Sequence, residues 1–281
     1  MSKTLVVLSG GQDSTTCLYW ALNHKHQVET VTFDYGQRHS SEIDAARKIA
    51  KHANVPNEVV EIGPDILAGT SPLTDPDAVL EQYDDMNSLP GGLEKTFVPY
   101  RNQLFLTIAA NRAYVKGMSN MITGVCQEDF GGYPDCRRVF IDALEVASSL
   151  GSHTGREGCP GPLKIHTPLM FLTKAQSIDL ALRLPGCYEA LKWSQTAYDG
   201  AYPPTGHDHA TLLRAKGFAE ACVPDPVILR AFSEGLMDLP DAENYAPDTI
   251  MSYFDEAKID MPKPVKQTGK AKRSPTTLLK K

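Results

Sequence analysis

Short apolar runs alternate with stretches of helical periodicity along the first sixty residues. Thr4–Leu8, Val28–Phe33 and Glu58–Ile62 are brief runs rich in apolar and β-branched residues, of the kind buried in a sheet. Ser14–Leu22 repeats apolar positions at Cys17, Leu18 and Ala21, and Ser41–Ala53 does so at Ile43, Ala46, Ile49 and Ala50, both at helical spacing. Strand, helix, strand, helix, strand predicts a parallel sheet with right-handed crossovers. Gly63–Lys95 breaks the rhythm with Pro64, Pro72, Pro76, Pro90, Gly91 and Gly92, which predicts a long surface excursion in the manner of a flap. The alternation then resumes with a helix over Asn102–Lys116, a strand over Asn120–Val125 and a helix over Cys136–Leu150. A Gly-rich loop over Gly151–Pro162, a strand over Lys164–Pro168 and a helix over Thr173–Leu184 follow. Beyond Pro185 only helical segments are expected, at Tyr188–Trp193, His209–Ala221 and Asp225–Glu234. The expectation is one doubly wound α/β domain over 1–185, a helical appendix over 186–262 and a tail over 263–281.

Composition narrows the function classes. Hydrophobic residues make up 42% of 281, enough to bury a sizeable core. No apolar run reaches the length of a membrane span, and the start of the chain carries no signal-peptide cleavage pattern. The six Cys, at 17, 126, 136, 159, 187 and 222, form no Cys-x-x-Cys pair. That argues against a disulfide scaffold and a Cys-only zinc cluster, and for a reducing, cytoplasmic setting. The net charge of −6 is unevenly distributed, because seven basic residues and no acids lie between Lys263 and Lys281. The acidic body argues against a DNA-binding surface. Contact with nucleic acid is left to the basic tail, which is expected to be solvated and unfolded.

The strongest chemical signal is Ser9-Gly10-Gly11-Gln12-Asp13-Ser14, between the first strand and the first helix. Two glycines allow a sharp turn and close backbone approach to a ligand. The helix N-terminus then presents N–H groups and a positive dipole end to an anion. Such a loop is built for pyrophosphate, and Asp13 fits if Mg²⁺ bridges it to the phosphates. Three further clusters fall at strand C-termini or helix N-termini, where open parallel sheets bind ligands. They are Phe33–His39, with Tyr35, Gln37 and Arg38; Phe97–Asn102, with Arg101; and Thr123–Arg137, with Glu128, Asp129, Tyr133, Asp135 and Arg137.

The loop resembles the phosphate-binding loop of the PP-loop ATP pyrophosphatases, which have the adenine nucleotide alpha hydrolase-like, Rossmann-like fold. Together with the three clusters, with Thr167-Pro168-Leu169-Met170 and Lys174, and with Leu213–Phe218, the chain resembles the QueC family, the 7-cyano-7-deazaguanine synthases of the queuosine pathway. The resemblance implies an ATP-dependent ligase that converts 7-carboxy-7-deazaguanine and ammonia to the nitrile preQ0 through an acyl-adenylate and an amide. It assigns ATP to Leu8, Ser9, Gly10, Gly11, Gln12, Asp13, Ser14, Thr15, Thr16, Cys17 and Leu18. Asp13, Ser14, Arg101 and Lys174 are the catalytic candidates. Tyr35, Gln37, Arg38, Glu128, Asp129, Tyr133, Asp135 and Arg137 are candidates for binding the base, because a carboxylate suits the N1–H and 2-amino donors of a guanine-like edge. For Asp135 and Arg137 an internal salt bridge weighs equally. A homodimer is left open, and so is the destination of the product, tRNA or DNA.

The family carries a structural zinc on four Cys. Here those positions hold Ala197, Thr205, Asp208 and Thr211, and no zinc is expected; His207 and His209 are weak alternative ligands. Packing of Trp193, Tyr198, Tyr202 and Pro203-Pro204 is expected to brace the appendix instead. Three alternatives stay open at this level: an enzyme that stops at the amide, one that ligates the activated carboxylate to another amine, and a nucleotide-binding module without turnover.

Overall fold

The computed structural model describes residues 2–37, 40–69, 71–75, 77–89, 95–127, 132–204 and 206–237. Five strands form one parallel sheet: β1 (Lys3–Val7), β2 (Gln27–Asp34), β3 (Asn57–Glu61), β4 (Asn120–Ile122) and β5 (Lys164–His166), in the order β3-β2-β1-β4-β5. β1 is central, so its residues are buried on both faces. Val6 and Leu8 pack on one side with α1 (Gln12–Asn23), α2 (Ser41–His52) and α5 (Lys174–Arg183). Leu5 packs on the other with α3 (Arg101–Val115) and α4 (Arg138–Leu150). The chain reverses its direction of winding between β1 and β4, and the crevice above that switch point is the ligand site of such sheets.

Most element boundaries move by a residue or two from the sequence expectation, and three of these shifts have a clear local reason. α1 begins at Gln12 rather than Ser14, which puts Asp13 inside its first turn. β4 ends at Ile122 rather than Val125, because Thr123-Gly124 leaves the sheet to pass against the phosphate loop. α4 begins at Arg138 rather than Cys136, since Pro134 starts a separate 3₁₀ turn over Pro134–Cys136.

The excursion after β3 does not hang free. Leu73 reaches the central cleft, and Tyr83 exchanges bonds with His207: its N–H donates to the His207 carbonyl at 2.7 Å, and the His207 Nδ1 lies 3.2 Å from the Tyr83 carbonyl. No helix of the described residues is long and apolar enough to cross a membrane. The tail over 263–281 lies outside the described residues.

Among the described residues the appendix comprises α6 (Cys187–Leu191), α7 (His209–Glu220) and α8 (Pro226–Ser233). An ion pair is buried among its apolar side chains. Arg214 on α7 bonds bidentately to Asp225, with Nε–Oδ2 at 2.6 Å and Nη2–Oδ1 at 2.8 Å, and both side chains are only 3% exposed. Its Nη1 donates to Ser194 Oγ at 2.8 Å and to Thr196 Oγ1 at 2.9 Å. Asp225 also accepts from the Val227 N–H at 2.9 Å and so caps α8. One guanidinium therefore joins α7, α8 and the strap that follows α6. Outside this pair, the Arg230 guanidinium sits between Trp193 and Tyr202, 4.5 and 4.3 Å from the two ring centres. Trp193 and Tyr202 thus do brace the appendix, through a cation rather than by apolar packing alone.

Removing one partner of a buried, hydrogen-bonded pair leaves the other charge uncompensated, at a cost of about 3–5 kcal/mol. Arg214→Met is expected to lower the thermal and urea midpoints accordingly, and the double variant Arg214→Met/Asp225→Leu to recover much of the loss. An unchanged midpoint in the single variant would refute this role for the pair.

Candidate active site

The phosphate loop is fixed by crowding. Gly10 has φ +90°, and a Cβ there would lie 2.3 Å from the Glu42 carbonyl oxygen of α2. Gly124 has the same constraint from the opposite wall, where a Cβ would fall 2.9 Å from the Ser14 nitrogen. The two serines then tie the loop together. Ser14 Oγ accepts from the Ser9 N–H at 3.2 Å, lies 3.0 Å from Ser9 Oγ and reaches the Gly11 carbonyl at 3.1 Å. Gly11 serves as the N-cap of α1 without a capping side chain, which leaves the first-turn amides to a ligand.

A cleft of about 400 Å³ opens above this loop. Leu8, Ser9, Gly11, Gln12, Asp13 and Ser14 line it. The rest of the expected nucleotide set lies behind it. Thr15 and Thr16 turn their hydroxyls back onto the Gly11 and Gln12 carbonyls, at 2.7 and 3.0 Å. Cys17 and Leu18 are fully buried in the core against the sheet. These four build the helix that presents the loop, and do not face the cleft.

Across the loop, Lys174 Nζ meets Asp13 Oδ2 at 2.9 Å. Lys174 is the first residue of α5, behind a Thr173 N-cap that forms a capping box with Gln176. Its aliphatic stem runs against Gly217 of α7, where a Cβ would lie 2.5 Å from Lys174 Cγ. His209 also lines the cleft, 5% exposed; burial, helped by the Lys174 ammonium, holds its imidazole down to about 4 and therefore neutral at neutral pH.

The opposite wall is led by Arg101 at the start of α3, preceded by Tyr100 in the left-handed region at φ +63°. The guanidinium donates to the Tyr35 phenol oxygen. Burial pushes the Tyr35 phenol up, and the nearby guanidinium opposes that. Tyr133 lines the cleft and shares a hydrogen bond with Thr96 Oγ1 at 3.0 Å. Gln37 also lines it, folded so that Oε1 accepts from the Tyr35 N–H at 2.9 Å.

Two expected base-binding residues lie elsewhere. Asp135 is buried and accepts from the Asn102 N–H at 3.3 Å, which caps α3. Arg137 is the N-cap of α4 and does not line the cleft. Neither base contact nor an internal salt bridge describes Asp135, which accepts from a backbone amide. Arg38, Glu128 and Asp129 lie outside the described residues.

Sequence reasoning missed Glu42 and the strap Gln195–Tyr198, all of which line the cleft. The Gln195 N–H donates to the Gly10 carbonyl at 2.9 Å, so the appendix is clipped to the phosphate loop itself.

The former zinc positions make a hydrogen-bonded corner. Ala197 is buried and has no donor atom. Asp208 caps α7 by accepting from the Thr211 N–H at 2.9 Å, and the Thr211 hydroxyl donates to the Asp208 carbonyl at 3.0 Å. The Tyr198 N–H points at the same carboxylate, while burial raises its pKa. Thr205 lies outside the described residues. Among the described residues no three His, Cys, Asp or Glu side chains gather as a metal-binding group, so this donor set does not fit zinc.

Comparison with known proteins agrees with this geometry. The family model "Queuosine biosynthesis protein QueC" matches residues 3–222. A 7-cyano-7-deazaguanine synthase of Chromobacterium violaceum is 51% identical over 235 residues, 83% of this chain and 95% of its own. The proteins of that name from Laribacter hongkongensis and Bacillus subtilis are 49% and 41% identical, over 80% and 79% of this chain and 94% and 95% of their own. A solved 4-thiouridine synthetase, in complex with RNA and ATP, superposes with a TM-score of 0.39 at 19% identity, covering 81% of this chain and 52% of that one. With an intact phosphate loop and relatives matched almost end to end, the chain belongs to the QueC family.

Proposed function

We propose that the chain makes 7-cyano-7-deazaguanine from 7-carboxy-7-deazaguanine, ammonia and ATP, as a C–N bond-forming ligase. The observation that carries this reading is the shared cleft, in which a pyrophosphate-shaped loop, the Asp13–Lys174 pair and the Arg101 guanidinium face one volume.

A carboxylate is a poor electrophile, so the acid must first gain a leaving group. The α1 amides and the loop hold the ATP phosphates, and Lys174 lies where negative charge builds on the α-phosphate. A substrate carboxylate oxygen attacks the α-phosphorus, the bond to the β-phosphate breaks, and pyrophosphate leaves an acyl-adenylate. Ammonia adds to the acyl carbon, and loss of AMP and a proton gives the amide. In a second cycle the amide oxygen attacks the α-phosphorus of another ATP, pyrophosphate leaves, and loss of AMP and the two nitrogen-bound protons gives the nitrile. Arg101 draws the substrate's negative charge toward the loop, in a wall that keeps water away. Asp13 supplies the hard oxygen donor that suits Mg²⁺, which when bound adds charge neutralisation at the phosphates. Ser14 acts here as the internal tie of the loop.

The purified protein, given Mg-ATP, ammonium and 7-carboxy-7-deazaguanine, is expected to yield the nitrile mass with two AMP per base; the amide alone, or no change in mass, overturns the reading. Lys174→Met is expected to slow AMP formation by roughly 10²- to 10³-fold, the usual cost of one preorganised charge-stabilising group. AMP formation at the parental rate would remove Lys174 from the chemistry. The corner around Asp208 replaces metal ligation by capping, so treatment with a chelator, dialysis and restoration of Mg²⁺ are expected to leave both the thermal midpoint and turnover unchanged. Stoichiometric zinc in the purified protein would contradict this.

A further inference from the structure

Among the described residues two carboxylates line the cleft, Asp13 and Glu42, and they stand in different states. Asp13 is held by Lys174 at 2.9 Å. Glu42 lies in the first turn of α2, between the buried Gly10 below its carbonyl and the buried Ile43 beside it. Its carboxylate has no hydrogen bond with any described residue. Arg101 faces it closely enough to favour its charge, but turns its hydrogen bond to Tyr35. Burial nonetheless pushes the Glu42 carboxyl above the ordinary carboxylate range.

A carboxylate accepts hydrogen bonds and gives none, and Glu42, half-buried in the cleft wall, stands open to the N–H donors of a ligand. The ATP phosphates and the carboxylate under attack are anions and acceptors, so neither supplies them, and ammonia carries N–H groups on a single nitrogen but no paired edge. The adenine edge offers one amine beside an acceptor nitrogen, which satisfies one carboxylate oxygen and repels the other. A guanine-type edge offers N1–H and the 2-amino group side by side, one for each oxygen.

We propose that Glu42 is a specificity-determining residue that grips the N1–H and 2-amino donors of the deazaguanine, while Arg101 faces the oxygen-rich side of the same base. This rests on the proposed function, whose substrate supplies that edge. Glu42 then takes the part that the sequence offers to Glu128, Asp129 and Asp135, of which Asp135 is spent on capping α3.

The test compares 7-carboxy-7-deazaguanine with its analogue lacking the 2-amino group, in the parent and in Glu42→Gln, with KM for each base and for ATP measured separately. In the parent, the analogue is expected to bind roughly 10- to 100-fold more weakly, the range of a hydrogen bond to a charged group. Glu42→Gln is expected to raise KM for the natural base by a similar factor, to leave KM for ATP unchanged and to erase the preference between the two bases. Equal use of both bases by the parent overturns the assignment, and that result needs no variant to fold. A rise confined to KM for ATP overturns it in favour of an adenine contact. Turnover of neither base by the parent overturns the proposed function together with it, whereas turnover without discrimination removes only Glu42.

Discussion

Everything around the cleft converges on the backbone of Gly10. Its positive φ turns the chain out of β1, its missing Cβ admits the Glu42 carbonyl, and its own carbonyl receives the Gln195 N–H. A side chain at this point would separate α2, α1 and the appendix in one step. The contact is between main chains, so it fixes relative positions to within a few tenths of an ångström, which side-chain packing rarely does. The cleft inherits that precision, since three of its walls are anchored to the same residue.

The charges of the site follow the same plan. The loop contributes a dipole end, Lys174 a paired cation and Arg101 a cation tied to a phenol, all on backbone elements with fixed starts. His209, neutral beside Lys174, adds polarity without adding net charge. Among the described residues the acids at the anion site are Asp13 and Glu42, each of which faces a cation.

How much of this the sequence discloses depends on distance along the chain. The strand–glycine–helix loop is legible because all its determinants fit within Val6 to Cys17, and the sheet because each strand and helix declares its own period. Asp135 is not, because the amide it caps lies 33 residues away and no local pattern announces that partner. Glu42 is not, because an acid in a first helical turn reads as a dipole complement wherever the cleft is unseen. Thr15 to Leu18 appear next to the loop in sequence, yet a helix turns them away within one turn. The Arg214–Asp225 pair is hidden for a different reason: each residue alone looks like a surface charge, and only the fold closes water away from both.

Gly217 has a consequence for Lys174 that goes beyond packing. With no side chain on α7 at that point, the helix backbone lies against the lysine stem and confines its rotamers. A free lysine surrenders up to about 2 kcal/mol of rotamer entropy when it is immobilised. Here that loss falls on folding, before any nucleotide arrives, so the ammonium meets its ligand already placed, and a residue that touches no ligand shares in the affinity.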